Sequence, residues 1–399
     1  MSQIEHRCDI PEHRCDILVA GSGPVGMALA HALARLGKGG TMKVMLTGDA
    51  LAGDDRPIAL SWGSRLILQR LGCWDALPVT PIKNIHVSQQ RGFGRTLISA
   101  ADHAIDALGY VTSYRDLLAA LSGLPSTLAR LGGRVSNWTV EEDGIRVECG
   151  TDTVHAQLLV LADGGAPHAG ADAGKETVKA YDQSAIVCEL KTEKPHAGIA
   201  WERFGTEGPL ALLPFRDRHA MVWTSRTASA ERLLALDEPA FLAEAQLAFG
   251  HRLGRFLSAG PRAAFALTLK HRHRAMQARV IPIGNAAQTL HPVAGQGLNL
   301  GLRDAWELAE LAADADWPGA AGTSAPAPGS TAFAHRYASR RQMDRRTLVH
   351  MTDGLISAFG VDLPFASTLR GAALAFLDVV PPARRFLSRR MMFGVRALP

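Results

Sequence analysis

Three glycines spaced as Gly21-x-Gly23-x-x-Gly26 carry the clearest chemical signal in the chain. In such a turn the first glycine permits a tight bend, the second lets the backbone approach a pyrophosphate, and the third lets the next helix pack on the preceding strand. The start of that helix offers free N–H groups and a partial positive charge to an anion. The pattern predicts a dinucleotide site, and a glycine-rich turn that serves packing alone is the alternative.

The residues around the three glycines predict the elements that position them. Asp16 to Ala20 is an apolar run of strand length directly before the turn. Apolar residues then recur at helical spacing from Val25 to Leu36, and Gly37 follows as a candidate C-cap. Lys43 to Leu46 has the composition of a second buried strand. Strand, turn, helix and strand within about 30 residues open a dinucleotide-binding βαβ unit.

The acid that usually binds the adenosine ribose, about 20 residues after the glycines, is missing. Thr47 stands at the end of the second predicted strand, and Asp49 is the nearest carboxylate. Either Asp49 reaches the ribose from a longer loop or other groups hold the ribose. A solvated turn residue is the alternative interpretation of Asp49.

Two later segments also combine a buried strand with polar residues or glycines. Leu158 to Gly164 is an apolar strand that ends in an acid and a glycine, and Val280 to Asn285 is a strand that ends in Gly-Asn. Gly295 to Gly297 then opens a long helix. The N–H groups at the start of that helix would face any anion or carbonyl placed above it.

Composition narrows the class of protein. The 399 residues are 47% hydrophobic and 20% charged, which excludes disorder, collagen-like repeats and coiled coil for the whole chain. A net charge of +5 is too dilute to predict nucleic-acid binding. The five cysteines form no CxxC pair and are expected to be reduced thiols. The start of the chain is polar, and no apolar run reaches the roughly 18 residues of a membrane span, so we expect a cytoplasmic protein.

Taken together, the motifs resemble those of the FAD-dependent aromatic hydroxylases, and most closely the ubiquinone-biosynthesis branch. The resemblance runs from about Cys15 to Val395, and within the branch Gly284 to Pro292 is most similar to 2-octaprenyl-6-methoxyphenol hydroxylases. It is carried by the first glycine turn, the Asp163-Gly164 strand end and the segments Arg56–Ser61, Ile85–Gln89, Gly208–Pro214 and Gly284–Ala305.

The resemblance implies which residues hold FAD. The glycines of the first turn would hold the pyrophosphate, Arg56 would contact the adenosine side, and Gly295 to Asn299 would present N–H groups to the flavin ring edge. Asn285, where most members have Asp, would hydrogen-bond the ribityl chain or a phosphate. Pro292 and His291 would line the substrate side, with His291 either a general base or a plain loop histidine. The expected cofactor-binding set is Gly21, Gly23, Pro24, Gly26, Arg56, Asp163, Gly164, Gly284, Asn285, Pro292, Gly295, Gln296, Gly297, Leu298 and Asn299.

The implied activity is hydroxylation of a polyprenylated methoxyphenol with NAD(P)H and O2, in which the flavin does the chemistry and no catalytic side chain is assigned. Two rivals stay open: a flavin or NAD(P)H reductase without oxygen transfer, and a non-catalytic member of a quinone-synthesis complex. Pro167 and His168 replace the Arg and Ser that often follow Asp-Gly, which leaves the contacts on the reductant side open.

The implied fold is α/β, with a Rossmann-like FAD-binding domain, an inserted β-sheet substrate domain and a helical C-terminus. Ser184–Leu190 and Ala220–Thr224 are strand-like, and Glu231–Phe256 is expected to be helical. The expected boundaries are 1–80, 100–180 and 270–320 for the FAD-binding domain, 81–99 and 181–269 for the substrate domain, and 321–399 for the C-terminal helical region.

Two basic segments are ambiguous. His271 and His273 alternate with positive residues and lack a third ligand at metal spacing, so they predict a solvated strand and no metal site. Arg384 to Phe393 is a candidate basic amphipathic helix. It could rest on anionic lipid at the inner face of a membrane or dock on a quinone-biosynthesis protein, and a plain surface helix is the alternative.

Overall fold

The predicted strand, turn, helix and strand around the first glycines are all present in the computed structural model. The structure describes residues 12–37, 42–49, 51, 53–90, 92–126, 128–166, 176–272, 278–289, 296–317, 325–360 and 366–393. Its strands are β1 (Glu12–Ala20), β2 (Val44–Thr47), β3 (Pro57–Ser61), β4 (Thr80–Ile82), β5 (Asn84–Gln89), β6 (Arg95–Ser99), β7 (Gly109–Ser113), β8 (Ala129–Leu131), β9 (Val135–Val140), β10 (Ile145–Cys149), β11 (Asp152–Leu161), β12 (Glu176–Thr192), β13 (Ile199–Phe204), β14 (Pro209–Phe215), β15 (Arg218–Arg226), β16 (Phe256–Ala259), β17 (Ala263–Arg272), β18 (Val280–Pro282) and β19 (Gln288–Thr289). Its helices are α1 (Pro24–Leu36), α2 (Trp62–Arg70), α3 (Tyr114–Ser122), α4 (Thr227–Ala235), α5 (Glu238–Phe249), α6 (Gln296–Ala313), α7 (Thr331–Gly360), α8 (Ala366–Val379) and α9 (Pro381–Phe393), with 3-10 turns at Ala100–His103 and Gly284–Ala286.

The first sheet has the strand order β8-β2-β1-β11-β10-β9, and β18 pairs with β11. The pairs of β1 with β2 and β11, and of β11 with β18, are parallel. Side chains alternate across β1: Ile17 and Val19 lie in a core with α1 and α6, while Leu18 and Ala20 lie in a second core with β9 and β10. Because parallel strands end at the same sheet edge, the turns after β1, β11 and β18 meet there.

The second sheet has the order β19-β17-β12-β15-β14-β13-β5-β6, and β16 pairs with β12. Its strands are antiparallel apart from the parallel pair of β13 with β5. One face is buried by α4 and α5 in a core that includes Leu212, Met221, Phe241 and Phe249. On the other face, Ala200, Phe215 and Ala220 pack against Ile82 of β4 and Val111 of β7, and other residues of that face line a cavity.

A third sheet, β3-β7-β4, packs against the second sheet through Ile82 and Val111. The C-terminal helices α8 and α9 both pack against β6. Thr96 donates its hydroxyl hydrogen to the carbonyl of Leu374 at 2.6 Å, and Asp378 accepts the N–H of Leu97 at 3.0 Å. Met392 of α9 is buried, so the C-terminal region is part of the folded body. None of the described helices is long and apolar enough to cross a membrane.

The expected helix over Glu231–Phe256 is wrong in its extent. The structure divides this stretch into α4 and α5, and Phe256 already belongs to β16. The break comes at Asp237, whose carboxylate accepts the N–H of Ala240 at 2.9 Å, and Pro239 occupies the first turn of α5. An Asp followed by Glu-Pro is a helix-start signal, so the sequence does contain the reason for this boundary.

Candidate active site

One cavity of about 1120 Å³ connects the edge of the first sheet with the face of the second that lies opposite α4 and α5. It is bounded by the turns after β1 and β11, by the start of α6, by alternate residues of the second sheet and by α8 and α9. Ordinary small-molecule pockets measure about 300–1,000 Å³. The cavity is therefore at least as large as the pockets that hold ordinary small-molecule ligands.

Most of the residues expected to bind the cofactor meet at one end of this cavity, called here the cofactor end. Gly26 and Gly284 do not line the cavity, and Gln296 begins α6. Pro167, His168, His273, His291, Pro292 and Gly295 lie outside the described residues. The cavity is lined by Gly21, Gly23, Pro24, Arg56, Asp163, Gly164, Asn285, Gly297, Leu298 and Asn299.

The three glycines of the first turn are needed for different reasons. Gly21 has φ +126°, and a Cβ there would collide with the carbonyl of Ala162. A Cβ at Gly26 would collide with the carbonyl of Gly21, so Gly26 serves the close packing of α1 on the turn. A Cβ at Gly23 would meet only Cδ1 of Leu51, at 3.8 Å, and both residues line the cavity. Protein packing thus leaves the space at Gly23 open, as close approach of a pyrophosphate requires.

The start of α1 is suited to an anion. Gly23 is its N-cap residue, and no side chain caps it among the described residues. Pro24, the first helical residue, has no N–H to satisfy. The first-turn N–H groups that follow and the partial positive charge of the helix remain for a phosphate at the cavity wall.

Arg56 lies at the cofactor end beside Tyr114. Its guanidinium group lies 4.3 Å from the centre of the Tyr114 ring and its Nε 3.3 Å from a carboxylate oxygen of Asp54. Arg56 and Tyr114 both line the cavity. A planar cation held on an aromatic ring can contact the adenosine half of a cofactor. Tyr114, on α3, is absent from the sequence-based set because no local pattern connects it to Arg56.

The position of the usual ribose-binding acid is filled by a residue with another task. Thr47 is buried, and its hydroxyl donates to the carbonyl of Gly133 at 2.8 Å. Thr47 and Asp49 both line the cavity, and Asp49 accepts a hydrogen bond from Nε of Arg134 at 2.7 Å. Arg134 also lines the cavity. It was not predicted, because it lies in the turn between β8 and β9, which no motif connects to the cofactor.

The Gly284–Asn285 turn is held from behind by buried charges. Asn285 is exposed to the cavity, whereas Gly284 is buried with φ +56° and donates its N–H to Asp304 at 3.0 Å. Asp304 also accepts from Arg341 at 2.7 Å and from Arg345 at 3.1 Å. Burial alone would raise the pKa of Asp304, but the two guanidinium groups hold it below its usual value. Asp304 is therefore a buried carboxylate that fixes the turn.

Asn299 connects two distant parts of the cavity wall. Its side-chain oxygen accepts from the N–H of Ser61 at 2.7 Å and from the hydroxyl of Ser64 at 2.6 Å, and its side-chain nitrogen donates to the carbonyl of Ala59 at 2.9 Å. The Asn299 side chain thus fastens α6 to β3 and the start of α2. The sequence predicts a cofactor contact here but gives no sign of this link across more than two hundred residues.

The second sheet forms the opposite wall of the cavity, called here the sheet wall. This wall is made of alternate residues of neighbouring strands, and almost all of them are apolar. One register row across six strands consists of Thr96, Val87, Glu202, Ala211, Val222 and Val187. An apolar wall of this size matches a hydrophobic ligand.

Glu202 is the exception in the sheet wall. It lies in the middle of β13 between Val87 and Ala211, and it is half-buried because it opens into the cavity. Burial raises the pKa of Glu202 to about 7. No sequence motif points to this residue. The only local signal was a carboxylate between Ala200 and Phe204 at period two, in a segment not predicted to be a strand.

The C-terminal helices also take part in the site. Leu374, Leu377, Leu387, Met391 and Met392 line the cavity with Ser388, so α9 is more than a surface helix. The expected basic face is only partly free. Arg384 pairs with Asp102 at 3.2 Å, while Arg385 and Arg389 are exposed.

Cysteine and metal chemistry play no visible part in the described residues. Cys15, Cys73, Cys149 and Cys188 are free and buried there, and Cys8 lies outside that part of the chain. Burial raises the pKa of the Cys188 thiol to about 12, so this thiol is not activated as a nucleophile. No group of three or more His, Cys, Asp or Glu side chains in the described ranges could hold a metal ion.

Comparison with known proteins identifies the family of the chain. A profile of the FAD binding domain family matches residues 14–316. The ubiquinone hydroxylase UbiL of Rhodospirillum rubrum is 33% identical over 96% of this chain and 91% of its own. The 3-demethoxyubiquinol 3-hydroxylase of Escherichia coli is 29% identical over 96% of this chain and 95% of its own.

A solved structure agrees with the fold. The p-nitrophenol 4-monooxygenase PnpA of Pseudomonas putida DLL-E4 superposes with a TM-score of 0.72 at 15% identity, over 97% of this chain and 100% of its own. The expected α/β architecture of the aromatic hydroxylases is therefore confirmed. The open space at Gly23 and the uncapped start of α1 fit the pyrophosphate of FAD. The chain belongs to the FAD binding domain family and, within it, to the FAD-dependent hydroxylases of ubiquinone biosynthesis, which makes it a flavin monooxygenase with NAD(P)H as co-substrate.

Proposed function

We propose that the substrate is a polyprenylated methoxyphenol, a ubiquinone precursor, which the protein hydroxylates with NAD(P)H and O2. The observation that carries this proposal is the continuous cavity that joins the cofactor end to the apolar sheet wall. A prenyl chain is pure hydrocarbon, and burying it gains about 0.8 kcal/mol for each CH₂ group. The names of the relatives, a ubiquinone hydroxylase and a demethoxyubiquinol hydroxylase, support the same substrate class.

The cofactor end would hold FAD through the residues that line it. Gly23 leaves room for the pyrophosphate in the tight turn that Gly21 permits, Arg56 meets the adenosine side, and Asn285 contacts the ribityl chain or a phosphate. Gly297 to Asn299 present the start of α6 to the flavin ring, where a helix N-terminus stabilises negative charge. Pro292 and Gly295 belong to the same proposed set.

When bound, FAD supplies the redox chemistry, with electrons from NAD(P)H and an electrophilic oxygen atom from O2. The chain contributes position and environment. The sheet wall, α8 and α9 enclose the ring and exclude water. The phenol oxygen pushes electron density to its para carbon, which makes hydroxylation there chemically reasonable. The resemblance of Gly284 to Pro292 to the 2-octaprenyl-6-methoxyphenol hydroxylases supports a methoxyphenol as the substrate.

The same proposal divides the chain by task. The FAD-binding domain comprises 1–80, 100–180 and 270–320, the substrate domain comprises 81–99 and 181–269, and 321–399 is the C-terminal helical region. Support comes from the second sheet, where β5 and β6 join β12 to β17. β12 begins at Glu176 and β17 reaches Arg272, a few residues beyond the proposed limits.

A product analysis tests the activity. The purified protein is incubated with FAD, NADH or NADPH, ¹⁸O₂ and phenols that differ in methoxy substitution and prenyl length. We expect a product that carries one labelled oxygen atom, with consumption of the nicotinamide coupled to its formation. Oxidation of NAD(P)H without a hydroxylated product would favour the reductase, and a colourless protein that retains no FAD would favour the non-catalytic role.

We also propose that α8 and α9 contact the anionic inner surface of a membrane, where a prenylated substrate would reside. Their inner sides line the cavity, and α8 presents an exposed apolar stripe at helical spacing on its other side: Leu369, Ala372, Phe376 and Val379. Val379 is 78% exposed and Phe386 of α9 is 63% exposed. Exposed Arg385 and Arg389 beside Phe386 add attraction to anionic lipid of about 1 kcal/mol each.

Vesicle sedimentation tests this contact with the FAD-loaded full chain. We expect binding to phosphatidylglycerol vesicles and little binding to phosphatidylcholine. The double variant Arg385→Glu/Arg389→Glu should lose at least about 10-fold in vesicle affinity. Arg130→Glu, which reverses an exposed arginine on β8, serves as the control. Absent binding would contradict the proposal and leave a protein partner as the occupant, whereas equal binding to both lipids would overturn the role given to anionic lipid and to the two arginines.

A further inference from the structure

The sheet wall contains a single ionisable side chain among the described residues, Glu202 of β13. The other ionisable residues that line the cavity belong to the cofactor end: Asp49, Arg56, Tyr114, Arg134 and Asp163. A carboxylate in an apolar wall carries a desolvation cost and is seldom placed there without a task. Packing gives no reason for it, since Val87, Ala211 and Val222 fill the same register row.

The charged groups near Glu202 are directed elsewhere. On its own strand, Arg203 alternates to the opposite face, as does His86 on β5, which accepts a hydrogen bond from Arg252 at 2.8 Å. Thr96, its row neighbour on β6, donates to Leu374. β14 has no ionisable residue. On α8, Asp378 accepts a hydrogen bond from the N–H of Leu97. On α9, Arg384 pairs with Asp102 and Arg390 lies over the ring of Phe386. The other two arginines of α9, Arg385 and Arg389, are exposed.

No hydrogen bond or ion pair of the Glu202 side chain is formed with any described residue. Burial is the cause of its raised pKa of about 7, because no charged neighbour shifts it. Near neutral pH the group can therefore exist in both protonation states. This is the property that a general base and its conjugate acid need.

We infer that Glu202 is the base that binds the ring hydroxyl of the substrate and takes its proton during hydroxylation. This inference rests on the proposed function, because it needs a phenol in the cavity. The carboxylate accepts the phenol O–H as a hydrogen bond, which fixes the ring against the sheet wall with its para carbon free to face the cofactor end. Glu202 is then a catalytic residue in a reaction where the sequence assigns none.

The step balances without a further reagent. The phenol O–H bond breaks, its proton bonds to a Glu202 oxygen, and the electron pair stays on the phenol oxygen and moves into the ring. The ring carbon forms its new C–O bond with the oxygen atom that FAD, NAD(P)H and O2 supply. That carbon then releases its hydrogen as a proton to solvent, and Glu202 returns its own proton to the ring oxygen. Glu202 ends ionised as it began, and the second oxygen atom of O2 leaves as water.

An equilibrium measurement tests the hydrogen bond separately from turnover. A farnesylated 2-methoxyphenol and its methyl ether are titrated into the FAD-loaded protein at pH 8 and pH 5.5. At pH 8 the wild type should prefer the phenol by about 10-fold or more, because the ether leaves a buried carboxylate without a donor. At pH 5.5 protonated Glu202 can donate to either ligand, so the preference should shrink. In Glu202→Gln it should be small and independent of pH.

A kinetic measurement tests the proton transfer. In the wild type, kcat/KM should rise with pH through about 7, as Glu202 ionises. Glu202→Gln should lose that limb and about 100-fold or more of the hydroxylation rate, while FAD content and the rate of flavin reduction stay unchanged. Glu202→Asp should restore the limb in part. Glu148→Gln, which removes an exposed carboxylate on β10, should behave as the wild type.

The outcomes separate this inference from the proposed function. An unchanged pH limb and an unchanged phenol preference in Glu202→Gln would overturn the inference while hydroxylation itself stands. If the wild type hydroxylates no phenol, the proposed function fails, and the phenol-to-ether preference still decides whether Glu202 binds a ring hydroxyl.

Discussion

The two ends of the cavity bind their ligands by different means. The cofactor end relies on backbone: glycines, a helix start and short turns, with Asp304 and Asn299 fastening them from behind. The sheet wall relies on side chains, and Glu202 is its one ionisable group among the described residues. A pyrophosphate needs N–H groups and close approach, while a prenylated ring needs hydrocarbon contact and one polar anchor. The difference follows from the two ligands and can be tested at each end.

The largest expected effect concerns the support of the cofactor end. Asp304→Ala leaves Arg341 and Arg345 buried without their shared carboxylate and should cost about 3–5 kcal/mol of unfolding free energy. Because the pKa of Asp304 is lowered, its contribution is present above the unfolded pKa of about 3.9 and is lost as pH falls. Urea unfolding should therefore show a large difference at pH 7 that shrinks towards pH 3. An equal difference at both values would mean that charge plays no part.

The next prediction separates ligand approach from packing within the first glycine turn. Gly23→Val should fold normally, because its Cβ meets only Leu51 at 3.8 Å and the N-cap backbone is extended. It should lose at least about 100-fold in FAD affinity, or ~2.8 kcal/mol, since the side chain fills the pyrophosphate space. Gly26→Ala, the matched control, collides with the Gly21 carbonyl and should be destabilised with or without FAD. Full flavin retention by Gly23→Val would refute the cofactor placement.

At the sheet wall we expect a smaller effect, in which removal of a charge raises the free energy of unfolding. The folded pKa of Glu202 is about 7, above its unfolded value, so ionisation costs stability as pH rises from about 4.5 to 7 and the cost then stays constant. Glu202→Gln should therefore be more stable than the wild type at pH 8 and equal to it at pH 5. A full shift would be worth about 3 kcal/mol, and the open side of the cavity reduces this to about 1–2 kcal/mol. Denaturant unfolding without substrate gives the measurement, and equal stability at pH 8 would mean that Glu202 is well solvated.

The same contrast explains what could be predicted from the sequence. The Gly21–Gly26 turn and the start of α6 are each a continuous stretch of sequence, so the local pattern of each identifies both the element and the FAD chemistry. The sheet wall draws single residues from strands between β5 and β17, and no window of sequence contains its pattern. Glu202, Arg134 and the cavity-lining side of α9 were missed for that reason, because each reaches the site through long-range pairing or packing.

The smallest effect concerns the missing ribose-binding acid and needs a closely matched control. Asp49→Asn removes a carboxylate that lines the cavity and pairs with Arg134 at 2.7 Å. Glu244→Gln removes a carboxylate in a similar exposed pair, with Arg232 at 3.1 Å, on the far side of the second sheet. Exposed pairs contribute about 0–1 kcal/mol, so both variants should unfold almost as the wild type does.

The two variants should differ only in cofactor binding. If Asp49 holds the ribose hydroxyls, Asp49→Asn should weaken FAD affinity by roughly 3- to 10-fold, since the amide oxygen keeps one acceptor and loses the charge. Glu244→Gln should leave FAD affinity unchanged. Flavin fluorescence titration of both apoproteins gives the comparison. Equal affinities would show that the ribose is held by other groups of the cofactor end, such as backbone carbonyls near Gly48, because Thr47 has already given its hydroxyl hydrogen to Gly133.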